Sequence, residues 1–246
     1  MTDLPVFANG ILLLFARVGA ILMLLPGFSE EAVPARLRFL VAVGTTVGLW
    51  GILSPNVSTL GMSPALLLTE LGIGLSLGLL VRIIFTAATM AGSIISLQIG
   101  LSSALIADPA LGGHSALLSR LLALAGVTAA LAAGVHHIWF GAIVRSYAAF
   151  PPGAVPDIAM LADRAVQAAT DATRLAVGLS APFLVFGLIF NLTLGLAARL
   201  APAIQIFFIA QPLTILGGLA LLLLVMGPII SAYAAALADW TQAMLG

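Results

Sequence analysis

Four charged side chains lie in or beside long apolar runs: Arg17, Glu70, Arg82 and Arg199. An ionised group at the centre of a membrane helix costs about 2.5–3.5 kcal/mol on the insertion scale, so it needs a partner or a wet cavity. The chemistry open to these four is interhelical ion pairing, snorkelling at a helix end, or lining a polar lumen. Glu70 and Arg82 are twelve residues apart, about 18 Å along one helix, so they cannot pair within it. Each needs a partner elsewhere.

Two other groupings invite chemistry and lack its context. His136 and His137 could ligate a metal, but neighbours on a helix point about 100° apart. The chain has no cysteine, and Asp157 is the nearest acidic residue in sequence, so no metal is expected there. His114, Ser115 and Ser119 place hydroxyls near an imidazole, yet no nucleophile elbow or Ser-Lys pattern accompanies them. Lysine is absent altogether, which also removes a phosphate-binding P-loop. No enzyme activity and no cofactor is expected.

Composition places these residues in a membrane. The 246 residues are 62% hydrophobic and 7% charged, with a mean hydropathy of +1.22. Soluble domains carry about 25% charged residues. Nine basic residues, all arginine, balance nine acidic ones, and this neutrality suggests no nucleic-acid partner. Without cysteine there are no disulfides, iron–sulfur clusters or thiolate metal sites. The first apolar run has no basic leader and outlasts a signal peptide, so it reads as a retained helix.

Along the chain, apolar runs cover 4–25, 39–53, 117–144, 175–198 and 204–226. Pro26-Gly27 ends the first run, and Ser54-Pro55-Asn56 is expected to end the second. Pro64 suits the first turn of a third helix. From there to Ile106 the sequence reads as one very long helix, or as two joined near Arg82. Residues 117–144 read as one span, closed by Pro151, Pro152 and Pro156. Asp157 is an N-cap for an amphipathic helix that continues without a break into 175–198. Met226-Gly227-Pro228 is expected to end the last run, leaving a milder tail. Gly74 and Gly78, and the series Gly187, Asn191 and Gly195, put small residues on one helix face and permit close packing. Arg36 and Arg38 favour a cytoplasmic first loop, and Arg145, Arg164 and Arg174 a cytoplasmic 145–174 segment.

One segment is physically odd. Residues 191–213, NLTLGLAARLAPAIQIFFIAQPL, join two spanning-length runs through Arg199, Pro202, Gln205, Gln211 and Pro212. A plain hairpin needs less polar and helix-breaking chemistry. Residues 104–119, ALIADPALGGHSALLS, form a mostly apolar stretch with two breakers. They read as a turn between helices, or as an apolar element inside a conduit.

Together these pieces resemble the FliR family of flagellar and injectisome export-gate proteins. The resemblance is carried by Arg17 with the later Pro26, by VPARLRFLVAVG (33–44) and by AGSIISLQIGLSSALIADP (91–109). It continues through GVHHIWFGAIV (134–144) with Pro151, and through LTLGLAARLAPAIQIFFIAQPLTI (192–215). The second His, at 137, and the plain bend 201–204 depart from the family's pattern. The wording of the two main motifs is closer to the flagellar branch.

The resemblance implies an all-α integral membrane protein of helical hairpins. A FliP-like part, about 1–174, would be fused to a FliQ-like hairpin, about 175–246, in one export-gate domain. It implies assembly with FliP- and FliQ-like subunits, contact with FlhB- and FlhA-like proteins and with lipid, and unfolded export substrates. The expected location is the bacterial inner membrane, in the flagellar basal body. Ala104, Leu105, Ile106, Asp108, Pro109, Leu111 and Leu117 match the family's pore plug loop. Arg199, Pro202 and Gln205 match the bend at the gate entrance. Arg17, Glu70 and Arg82 remain the intramembrane charges.

Overall fold

The computed structural model describes residues 3–29, 33–57, 60–61, 63–101, 115–200 and 206–245. Among them every regular element is helical: α1 (Asp3–Leu24), α2 (Ala35–Val57), α3 (Pro64–Gln98), α4 (Ser115–Ala132), α5 (Val135–Ala149), α6 (Ile158–Leu200) and α7 (Ile206–Leu245). Helices α1, α2, α3, α6 and α7 are each long and apolar enough to cross a bilayer, and α4 with α5 adds a bent sixth candidate.

Local chemistry sets several boundaries. The Ser63 hydroxyl accepts the Leu66 N–H at the start of α3, where Pro64 needs no donor. Asp157 caps α6 as expected, its Oδ1 accepting from the N–H groups of Ala159 (2.9 Å) and Met160 (3.3 Å). Helix α3 is one continuous element of 35 residues, with no joint at Arg82. Helix α6 runs 43 residues, so its amphipathic start and apolar remainder are one rod.

Three expected ends fall elsewhere. Helix α2 continues through Pro55 to Val57, whose buried side chain packs with Leu14, Leu53 and Tyr147. Packing there outweighs the one hydrogen bond that the proline removes. Helix α7 runs on through Gly227 and Pro228, because Ile229, Tyr233 and Leu237 continue a buried stripe at intervals of four. Residues 117–144 are not one straight span. Gly134 adopts φ 78°, a left-handed conformation that halts α4, and α5 departs at 73°.

The chain forms two compact units. The first comprises 1–84, 130–170 and 237–246. In it α1 packs on α2, and α2 on α5. Trp50 stands edge-on to Phe7 and sits against Gly10, where an added Cβ would lie 2.8 Å from the indole. Gly74 and Gly78 let α3 approach α1. A Cβ on Gly74 would meet Ala20 Cβ at 2.8 Å, and one on Gly78 would meet Leu24 Cβ at 2.8 Å and the Ile21 carbonyl at 3.1 Å. The small-residue face thus serves packing within the chain.

The second unit comprises 85–129 and 171–236. Tyr233 on α7 lies over Gly126 on α4, donates its hydroxyl to the Phe85 carbonyl at 3.2 Å, and meets the Phe85 ring edge-on. Away from these contacts α6 and α7 expose a broad leucine surface that includes Leu188, Leu192, Leu196, Leu223 and Leu224.

Replacing Gly78 by leucine should wedge α3 from α1 and cost about 1–3 kcal/mol. Unfolding of the purified protein in detergent micelles measures this; an unchanged midpoint would show that the two helices do not need their close approach.

Candidate functional site

The charged residues separate into one buried node and two exposed positions. Arg17 on α1 and Glu70 on α3 are both fully buried and face each other as a two-pronged pair. Nε donates to Oε2 at 2.8 Å and Nη2 to Oε1 at 2.9 Å. The third arm, Nη1, donates to the Ser146 carbonyl of α5 at 3.1 Å. The guanidinium also lies over the Tyr147 ring, 4.0 Å from its centre. Planar guanidinium and carboxylate are matched fork to fork, the geometry that strengthens such pairs most. The carbonyl takes a third N–H of the guanidinium, and the aromatic ring covers one of its faces. One side chain thus pins three helices of the first unit. Arg82 is exposed on α3, and Arg199 is exposed in the last turn of α6.

Much of the expected plug falls outside the described residues, namely Ala104, Leu105, Ile106, Asp108, Pro109 and Leu111. Pro202 and Gln205 of the entrance bend do so as well. Leu117 lies in the first turns of α4 with 58% of its surface exposed. The chain on either side of 102–114 is described, and both sides are tightly held within the second unit.

On the leading side, the Gln98 amide sits against Gly187 of α6, where a Cβ would have to displace it, and the Ile99 side chain sits against Gly218 of α7. The Gln211 amide of α7 donates to the Gly100 carbonyl at 3.0 Å. On the trailing side, the Ser119 backbone of α4 crosses Gly92 of α3: a Cβ there would lie 2.7 Å from Ser119 N and 2.9 Å from the Leu118 carbonyl. The hydroxyls of Ser93 and Ser119 are 2.9 Å apart. At Gly92 any side chain would separate the backbones of α3 and α4, while Gly187 and Gly218 make room for the side chains of Gln98 and Ile99.

This assigns work to part of the odd 191–213 segment, since Gln211 braces the leading stem. Of the spaced series, Gly187 is used in packing, while Gly195 has open space around it and Asn191 is exposed. The rings of His136 and His137 lie 4.1 Å apart, and among the described residues no group of three metal-ligating side chains occurs.

Sequence reasoning missed Ser146, Tyr147, Gln98 and the Gly92–Ser119 crossing. Only the last had a readable signal: Ala88, Gly92 and Ser96 repeat small residues every four positions on α3. The Ser146 carbonyl is backbone, and residue type could not reveal it.

The fold and these contacts define an all-helical membrane protein with several helices long and apolar enough to cross a bilayer. Comparison with known proteins gives the family. Residues 8–240 match the model of Bacterial export proteins, family 1, and the chain belongs to that family. It is similar to the flagellar biosynthetic protein FliR of Caulobacter vibrioides, with 40% identity over 216 residues, 86% of each chain. It is also similar to FliR of Escherichia coli K12, 32% identical over 88% of this chain and 84% of that one. FliR of Bacillus subtilis is 28% identical over 83% of this chain and 81% of its own length. The protein is a membrane component of the flagellar export apparatus, and this is not a known enzyme family.

Replacing Arg17 by alanine leaves Glu70 buried without its counter-charge and should cost about 3–5 kcal/mol. Arg17→Met combined with Glu70→Leu should recover most of that loss. A double-mutant cycle by SDS or urea titration in micelles is the measurement; strictly additive losses would mean the two charges do not act as a pair.

Proposed function

We propose that the chain is a pore-forming subunit of the flagellar protein export gate and helps pass unfolded proteins across the bacterial inner membrane. The single observation that carries this reading is the pair of clamped stems around 102–114. Residues 102–114 are mostly apolar and carry Asp108-Pro109 and Gly112-Gly113, and the residues on either side of them are packed at Gly92, Gly187 and Gly218 and bonded by Gln211. A seal needs this combination: apolar side chains to exclude water and ions, and ends that do not follow when substrate displaces the middle. In this reading Ile106, Leu111 and Leu117 close the conduit.

Partners are FliP- and FliQ-like subunits, with FlhB- and FlhA-like proteins around the gate. Their contacts are placed on the exposed leucines of α6 and α7, among them Leu188, Leu192, Leu223 and Leu224. Residues 1–174 serve as the FliP-like part and 175–246 as the FliQ-like hairpin. Arg199, exposed at the end of α6, and the neighbouring Pro202 and Gln205 belong to the entrance, where a charge meets water and neighbouring subunits instead of lipid. Energy for transport comes from outside this chain, which carries no nucleotide-binding loop. The flagellar branch is preferred because the relatives named above are flagellar.

Deleting residues 108–113 should raise ion conductance of an assembled gate in planar bilayers, with assembly retained. Conductance equal to that of the parent would remove the plug role. Arg199→Leu should reduce export or gate assembly while membrane insertion stays intact, as read by secretion of a flagellar substrate and by membrane fractionation. Full export by this variant would take Arg199 out of the entrance.

A further inference from the structure

Within the second unit α6 buries one face. Ala172, Ala176, Leu179, Phe183 and Gly187 follow one another at intervals of three or four, and all are buried. The next position on that face is Asn191, and there the cover stops: Asn191 is exposed. It sits in the uncharged stretch between Arg174 and Arg199, eight residues or about 12 Å from the latter along the helix. Two other side chains in that stretch form hydrogen bonds, and the helix itself answers both. The Ser180 hydroxyl donates to the Ala176 carbonyl at 2.9 Å, and that of Thr193 to the Ile189 carbonyl at 2.8 Å. The Asn191 carboxamide, with two donors and an acceptor, makes no hydrogen bond among the described residues.

Leu188 and Leu192 are exposed on either side of it. Gly195, one turn further along the same face, has nothing within 4 Å of where a Cβ would stand, which lets a neighbouring backbone approach. An unanswered amide among apolar groups is costly, and polar side chains on membrane helices are met by polar side chains of the helix alongside. A second copy of this chain fits that role poorly. A twofold contact through Asn191 needs the turns before and after it equally free. The turn before it is taken: Gln98 covers Gly187, and the Phe186 ring lies 3.2 Å from where a Cβ would stand on Gly217 of α7.

We propose that Asn191 hydrogen-bonds to a membrane helix of a different subunit, which presents a serine, threonine, asparagine or glutamine side chain to it and passes closest at Gly195. The surrounding leucines supply contact area without preferring one register. A single buried amide does prefer one, since a slip of one turn leaves it unpaired. That the subunit is FliP- or FliQ-like rests on the function proposed above; the need for a polar partner does not.

The test uses the full chain co-expressed with FliP- and FliQ-like subunits. A photo-crosslinking residue at Leu188, which leaves Asn191 in place, should capture one of them in intact membranes. Asn191→Leu should raise the ratio of free to assembled chain about three- to tenfold in native mass spectrometry of the complex in micelles, the loss expected for one hydrogen bond between membrane helices. Asn191→Gln should retain most of the assembly. The leucine variant should leave the unfolding midpoint of the isolated chain unchanged, because the amide has no partner within it. A lowered midpoint would place the role of Asn191 inside the chain and overturn the proposal. So would assembly of the leucine variant at the parent level, or a crosslink to a second copy or to lipid alone. Capture of an identified membrane protein outside the export apparatus would uphold Asn191 as a subunit contact and count against the export-gate assignment instead.

Discussion

Taking Arg17 and Glu70 out of water is the most expensive act in this fold, and the first unit is arranged around the compensation. The carboxylate fork, the Ser146 carbonyl and the Tyr147 ring must all be in place at once, because any one left out strands a desolvated charge. That requirement fixes the rotation of α1, α3 and α5 about their own axes. In lipid the hydrophobic effect does not choose between helix faces, since leucine is as content against a tail as against leucine. A satisfied polar node does choose. Glycines at 74 and 78 then allow the approach that brings the two side chains within reach.

The second unit achieves fixity by other means. It has no buried ion pair among the described residues, and relies on backbone proximity at Gly92, on the Gln98 and Ile99 side chains seated against Gly187 and Gly218, and on Gln211 and Tyr233 bonding to main-chain carbonyls. Bonds to backbone carry no dependence on the partner's side chain. They hold the stems through main-chain geometry, and the segment between them is free to be chosen for apolarity.

Much of this was legible in the amino-acid sequence, and the exceptions share a cause. Asp157 as a cap, the unbroken α6 and the packing role of Gly74 and Gly78 follow from local pattern, and the structure has them. That Arg17 and Glu70 need partners follows from solvation; that they are each other's partner does not, because nothing in spacing relates residues 53 positions apart. The stops assigned to Pro55 and Pro228 did not occur, since distant side chains reward continuing the helix. The opposite error was made at Gly134: a run of apolar residues conceals a left-handed turn, because hydropathy reports burial and is blind to φ. The candidate site was legible as composition, while its footing was not, being made of contacts between glycines and the groups they admit.

The length of α6 sets how it can sit in a bilayer. Its 43 residues span about 65 Å at 1.5 Å each, against about 30 Å of hydrocarbon. Tilt of the usual size cannot absorb the difference. Several turns must stand beyond the acyl chains, and some of the leucines they carry are matched to neither water nor lipid.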